Sequence, residues 1–230
     1  MDNKNLIIIS LGGSIIIPEE IDYIFLKKFR EFVIRKINLG YKFIIVTGGG
    51  KIARKYNEAV LKVIENTSNY NLDMLGVYAT KLNAILIKTI FSEYSYEEVL
   101  EDPNIKIETD KPVIVASGWK PGASSDLDTV LIAETYNILD IINLSNISYV
   151  YDKDPREYDD AKKLRNITWN EYRKIIPEEW SAGFSSPFDP IASKKAQELN
   201  MKVAILNGRN VENLEKFLSD EDFEGTIINN

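Results

Sequence analysis

An α/β fold, with a mostly parallel central sheet and helices on both faces, is predicted by three observations. Apolar runs of strand length alternate with segments of helical period, as strand–helix–strand units require. The runs at Leu6–Leu11, Tyr41–Thr47 and Pro112–Ser117 are apolar almost throughout, the pattern of strands covered on both faces. Each of the three ends in glycine-bearing sequence: Gly12-Gly13-Ser14, Gly48-Gly49-Gly50, and Gly118-Trp119-Lys120-Pro121-Gly122. Ligands of such sheets bind beyond the carboxyl ends of the strands, so the three turns converge on one place.

The first strand is broken only by Ser10. Pro18-Glu19-Glu20 predicts a helix start, and Ile21, Phe25, Phe29, Phe32 and Val33 give that helix its buried stripe. Gly40 suits its C-cap. After the second strand, Gly48-Gly49-Gly50 run directly into a helix from Lys51 to about Ile64. Without Cβ atoms the backbone can come close to a ligand there. The free amides and positive dipole end of the helix, with Lys51 and Arg54 beside them, favour an anion, most naturally a phosphate. The alternative is a tight strand–helix connection that binds nothing.

Asn66–Asn71 is a polar break before a second helix from Leu72 to Phe91. Asp73, Thr80, Lys81 and Asn83 stand among its apolar residues and predict a solvated face. Past the third strand and its loop, Asp126 and Asp128 open a helix, where acidic side chains suit the dipole and Asp126 can cap. Leu139–Leu144 reads as a fourth buried strand, and Ser145–Asn166 as a polar, irregular run. Thr168-Trp169-Asn170-Glu171 has capping-box form, and Asp189-Pro190 opens a helix to about Leu199. Lys202–Leu206 is a strand, Asn207-Gly208 a turn, Asn210 a cap for a short helix, and Gly225–Ile228 a closing strand. One domain of two lobes is expected, dividing near Ser145.

Composition narrows the chemistry. The 230 residues carry 44% hydrophobic and 27% charged side chains, enough for a large core. A net charge of −7 argues against a basic face for nucleic acid. No cysteine means no disulfide, thiolate nucleophile or thiolate metal site. No histidine excludes His-based acid–base chemistry, Ser–His triads and His metal sites. The side chains that remain suit phosphoryl transfer, which depends on positioning and charge stabilisation. No signal-peptide core follows Met1-Asp2-Asn3-Lys4-Asn5, and no apolar run nears the ~18 residues of a membrane helix. A soluble cytoplasmic protein with no membrane partner is expected.

Taken together and in order, these motifs resemble the amino-acid-kinase superfamily, and within it the uridylate (UMP) kinases of archaeal type. Gly12-Gly13-Ser14 and Gly48 to Tyr56 are similar to the family's two phosphate loops, and Asp73 to Ala84 to its helix over the nucleoside. Pro121-Gly122-Ala123-Ser124-Ser125-Asp126 is similar to its acceptor loop, and Ser145-Asn146 with Val150 to Pro155 to its adenine-side segment. Asp189 to Lys194 resembles a late motif carrying a functional lysine, and Gly225-Thr226-Ile227 the closing strand.

The resemblance implies a three-layer sandwich that transfers the ATP γ-phosphoryl group to UMP. It places Gly13, Ser14, Gly50 and Arg54 on the ATP phosphates, and Ser145, Tyr151 and Asp154 on its nucleoside. It places Gly49, Asp73, Lys81 and the loop Trp119, Lys120, Pro121, Gly122, Ala123, Ser124 and Ser125 on UMP. Lys51 and Lys194 would act at the transferring group, with Asp126 orienting the lysines. Residues 1–144 would form the acceptor lobe and 145–230 the ATP lobe. Mg²⁺ would enter with ATP, no protein ligand for it being assigned, and the chain would form a homo-oligomer, a hexamer in many relatives. Ser10-Leu11 stands where many members carry a lysine, Ser148-Tyr149 where Asp-Gly is usual, and Lys81 where arginine is common; Trp119 replaces a smaller residue. A kinase of a small carboxylate or carbamate on the same scaffold, and a non-catalytic nucleotide- or oxyanion-binding protein, are the alternatives.

Overall fold

The computed structural model describes residues 5–177 and 186–230. The expectation drawn from Met1–Lys4 lies outside them.

The strand β1 (Leu6–Leu11) feeds a single helical turn, α1 (Gly13–Ile16), whose Ile15 and Ile16 are buried. The helix α2 spans Tyr23–Asn38, five residues later than Pro18 predicted. Asp22 explains the late start: its side chain accepts from the Phe25 amide at 2.9 Å, a true N-cap, and Ile21 stays half exposed outside the helix. Leu39 closes α2 and Gly40 follows at φ +88°, the left-handed step after a helix end. Next come β2 (Lys42–Thr47), α3 (Gly50–Val63) and α4 (Asn69–Ile90). Ser68 caps α4 three residues ahead of the expected start.

The remaining elements are β3 (Val113–Ala116), α5 (Ser125–Tyr136), β4 (Asp140–Ser145), β5 (Val150–Tyr151), β6 (Lys163–Leu164) and β7 (Asn166–Thr168). They are followed by α6 (Trp169–Ile175), α7 (Pro190–Glu198), β8 (Lys202–Asn207), α8 (Val211–Leu218) and β9 (Thr226–Asn229). Both halves of the Thr168–Glu171 capping box form, and Asp189 caps α7 by accepting from the Ala192 amide. The run 145–166 is not wholly irregular: β5 and β6 form a small antiparallel pair, and β7 joins the main sheet beside β9.

The main sheet has seven strands in the order β3-β2-β1-β4-β8-β9-β7. All neighbours are parallel except β8 and β9. The pleat of the central strands sorts their side chains into two cores. Ile8, Ile44 and Val46 face Val130, Ala133 and Tyr136 of α5, with Trp169 of α6 and Ala192 of α7 beyond. Ile9, Leu11, Phe43 and Ile45 face Phe25, Phe29 and Phe32 of α2, Ile87 of α4 and Leu214 of α8. That is a three-layer sandwich. Burying a side chain such as Phe29 contributes about 2–3 kcal/mol, so the helical layers are held to the sheet mainly by these rows.

Candidate active site

The carboxyl ends of β1 and β2 are drawn together backbone to backbone. The Gly48 amide donates to the Leu11 carbonyl at 3.0 Å, and the Gly12 amide to the Leu144 carbonyl at 2.9 Å. A Cβ on Gly13 would stand 2.4 Å from the Gly48 carbonyl oxygen and the Gly50 nitrogen. Glycine is therefore required where the two turns touch, before any ligand is considered. Above that junction the first amides of α3 have no intrahelical partner, so they form an anion-receiving end.

Helix α4 is fixed against the junction by polar side chains. The Asn83 Nδ2 donates to the Gly48 carbonyl at 2.7 Å, and Thr47 Oγ1 donates to the Thr80 carbonyl at 3.0 Å. Thr80 and Asn83 are buried, which corrects the solvated face expected for them. Lys81 is partly buried, and its ammonium pairs with Glu101 at 2.7 Å.

These elements enclose an open cleft of about 660 Å³. Its walls include Gly49, Gly50 and Arg54 of the glycine turn, Asp73 of α4, and Ala123 to Asp126 of the loop before α5. Sequence-predicted residues from three separate segments thus meet in one place. The loop is tied down at three backbone amides: Gly118 to Thr80 Oγ1 at 2.7 Å, Trp119 to Asp128 Oδ2 at 3.1 Å, and Gly122 to Asp73 Oδ2 at 3.0 Å. Ser124, rather than Asp126, caps α5 by accepting from the Leu127 amide.

Other predicted residues stand around the cleft rather than in its wall. Lys51 pairs with Glu19 of the α1–α2 connection, and Lys55 approaches the same carboxylate at 3.9 Å. Lys194 is exposed on α7. Gly13 and Ser14 lie at the junction in α1. Lys120 sits over the Trp119 ring, 3.6 Å from its centroid. Ser145 ends β4, Tyr151 lies in β5, and Asp154 is held well down, to about 2, by Arg156. Asn57, Gly76 and Val77 line the cleft without having been singled out, and Asp189, read from the sequence as a helix cap, lines it too.

Three carboxyls, Asp126, Asp128 and Asp189, gather where α5 and α7 begin, the first and last of them in the lining of the cleft. Asp126 accepts from Ser10 Oγ at 3.2 Å and from the Asp189 amide at 3.1 Å, linking β1 to the start of α7. Burial, then the neighbouring Asp189, pushes it up to about 7. Burial likewise pushes Asp128 up to about 7 and raises Asp189. A carboxyl whose folded pKa exceeds its unfolded value of 3.8 holds its proton more tightly when folded. That stability is fully present below about 4 and is lost as pH rises through about 7. The thermal midpoint is therefore expected to fall by roughly 5 °C between pH 5 and pH 8, as 1–2 kcal/mol would do in a chain of this size. A midpoint that is flat or rises over that range would contradict the assignment.

Fold and cleft together define a parallel α/β protein that presents glycine turns and a helix N-terminus to an anion. The chain belongs to the amino acid kinase family, whose model matches residues 5–207. It is similar to the uridylate kinase of Methanocaldococcus jannaschii, 33% identical over 96% of this chain and 98% of that protein. The uridylate kinase of Methanobrevibacter smithii is 30% identical over the same shares of the two chains. The solved uridylate kinase of Archaeoglobus fulgidus superposes with a TM-score of 0.79 at 27% identity, covering 96% of this chain and 99% of that one.

Proposed function

We propose that this protein transfers the γ-phosphoryl group of ATP to UMP, giving UDP and ADP. The observation that carries the proposal is the cleft itself, where the anion-receiving turn Gly49–Gly50, Arg54, Asp73 and the loop before α5 meet. Relatives named uridylate kinase, matched along nearly the whole chain, support it. The attacking group is a UMP phosphate oxygen, already ionised at neutral pH, so no general base is needed. It forms the new P–O bond as the bond to ADP breaks, and cations and amides must meet the charge on the transferring group.

In this assignment Gly49, Asp73, Lys81 and residues 119–125 hold UMP. Gly13, Ser14, Gly50 and Arg54 hold the ATP phosphates, and Ser145, Tyr151 and Asp154 its nucleoside. Residues 1–144 serve the acceptor and 145–230 the donor. Lys51 and Lys194 neutralise the transferring group and Asp126 orients them, itself hydrogen-bonded to Ser10 and the Asp189 amide. Lys51 must then exchange Glu19 for phosphate when ATP enters. Mg²⁺ would supply charge neutralisation on the phosphates. Such an ion would be held mainly by the phosphates and water. Asp189, whose buried Oδ2 has no partner, is the protein oxygen that suits it.

The assignment extends to a homo-oligomer, a hexamer as in many relatives, and to a cytoplasmic role in pyrimidine nucleotide synthesis. Among the described residues no helix is long and apolar enough to cross a membrane. ADP release measured with UMP, CMP, carbamate and acetylglutamate tests the reaction: UMP should be turned over best, and no turnover with any acceptor would sink it. Lys194→Ala should lower kcat at least about tenfold, roughly 1.4 kcal/mol. An unchanged kcat would remove Lys194 from the mechanism.

A further inference from the structure

We propose that Asp128 is a positioning residue for the acceptor: its carboxylate holds the Trp119 amide and so fixes the loop 119–125 in the form that receives UMP. The inference rests on the UMP kinase assignment and deepens it. Asp128 is fully buried in the first turn of α5. One oxygen, Oδ2, takes the Trp119 amide at 3.1 Å; the other, Oδ1, is buried and has no partner among the described residues.

Stability alone does not account for such a group. Burying a carboxylate that makes one hydrogen bond and leaves an oxygen unpaired costs free energy, which an apolar side chain of similar size would avoid. What the carboxylate provides is a fixed acceptor. Thr80 and Asp73 tie the loop to α4 at Gly118 and Gly122. Asp128 is the tie from the α5 side, and it lies between the other two along the loop. The far end of the loop is continuous with α5 through its cap Ser124; Asp128 fixes the near end, at Trp119, to the same helix, and without it that end is tied to α4 alone through Gly118. Trp119 also carries the Lys120 ammonium over its ring, so a shift of the Trp119 backbone would displace a cation from the acceptor side. Asp126, Lys120 and Trp119 are the groups that face Asp128.

The test is steady-state kinetics of Asp128→Val and Asp128→Asn in the full-length protein. Asp128→Val should raise the KM for UMP tenfold or more, while the KM for ATP and kcat stay within about threefold and the thermal midpoint does not fall. Asp128→Asn keeps an acceptor oxygen and should return the KM for UMP to within about threefold of the unaltered protein. A KM for UMP within twofold in Asp128→Val, a parallel loss in every parameter, or an Asp128→Asn as poor as Asp128→Val would each overturn the proposal. Should Asp128→Val not fold, hydrogen exchange of the Trp119 amide in the unaltered protein decides. Slow exchange before UMP is added supports the proposal; fast exchange that slows only with UMP overturns it. Absence of UMP turnover in the unaltered protein would instead sink the UMP kinase assignment, a separable failure.

Discussion

Lys51→Ala is expected to lower kcat by about a hundredfold, close to 2.7 kcal/mol, with little change in thermal stability. The magnitude is that of removing one preorganised charge or donor from a developing anion. Ser10 occupies the position where many family members carry a lysine, and its hydroxyl is spent on Asp126. Lys51 follows Gly50 directly, in the first turn of α3. Its resting partner Glu19 is largely exposed, and an exposed ion pair contributes little, so ATP phosphates can displace it. For the same reason the folded state should hardly register the loss. Lys51→Arg should recover part of kcat by keeping the charge. A Lys51→Ala enzyme with kcat within threefold would show that α3 contributes amides and no side-chain cation.

Gly50→Ala should be the most damaging single methyl in the protein. The residue has φ +61°, and its Cβ would stand 2.3 Å from the Gly13 carbonyl carbon and 2.6 Å from the Gly13 oxygen. The left-handed backbone costs about 1–2 kcal/mol for a non-glycine residue, and forcing apart two backbones that cannot rotate away costs about 1–3 kcal/mol more. The thermal midpoint should drop by roughly 10 °C, and activity should be lost at temperatures where the chain is still folded, because Gly13 and Gly50 would no longer set the two turns side by side. Gly122→Ala is the matched control. It also has a positive φ, +82°, but its Cβ would meet nothing within 4 Å, so about 1 kcal/mol is expected. Equal midpoints for the two variants would mean that backbone conformation, and not the close approach of the turns, is what requires Gly50.

Much of the fold was legible because the parallel strands are short apolar runs with glycine or capping residues at their ends. Thr168–Glu171 and Asp189-Pro190 state their helix starts outright, and both form. The misreadings share one cause, a distant partner. Pro18 is a generic start signal, but Asp22 has the side chain that reaches the Phe25 amide. β7 is three residues long and becomes a strand only by pairing with β9, about sixty residues away in sequence. Thr80 and Asn83 look like surface residues in a helical register, yet they are satisfied by Gly118 and Gly48, which no local pattern joins to them. For the cleft, chemistry-bearing motifs were readable, whereas Asn57 and Val77 are wall positions defined only by where α3 and α4 cross. Asp189 and Asp128 were read as a cap and a dipole partner; their unpaired buried oxygens emerge only from packing.

Phosphoryl transfer to UMP can be followed directly by the phosphorus-31 resonances of ATP and UMP incubated with Mg²⁺ and the purified protein. UDP and ADP should appear in equal amounts as ATP and UMP disappear. ADP accompanied by inorganic phosphate without UDP, or spectra that do not change while nucleotide is bound, would contradict that transfer.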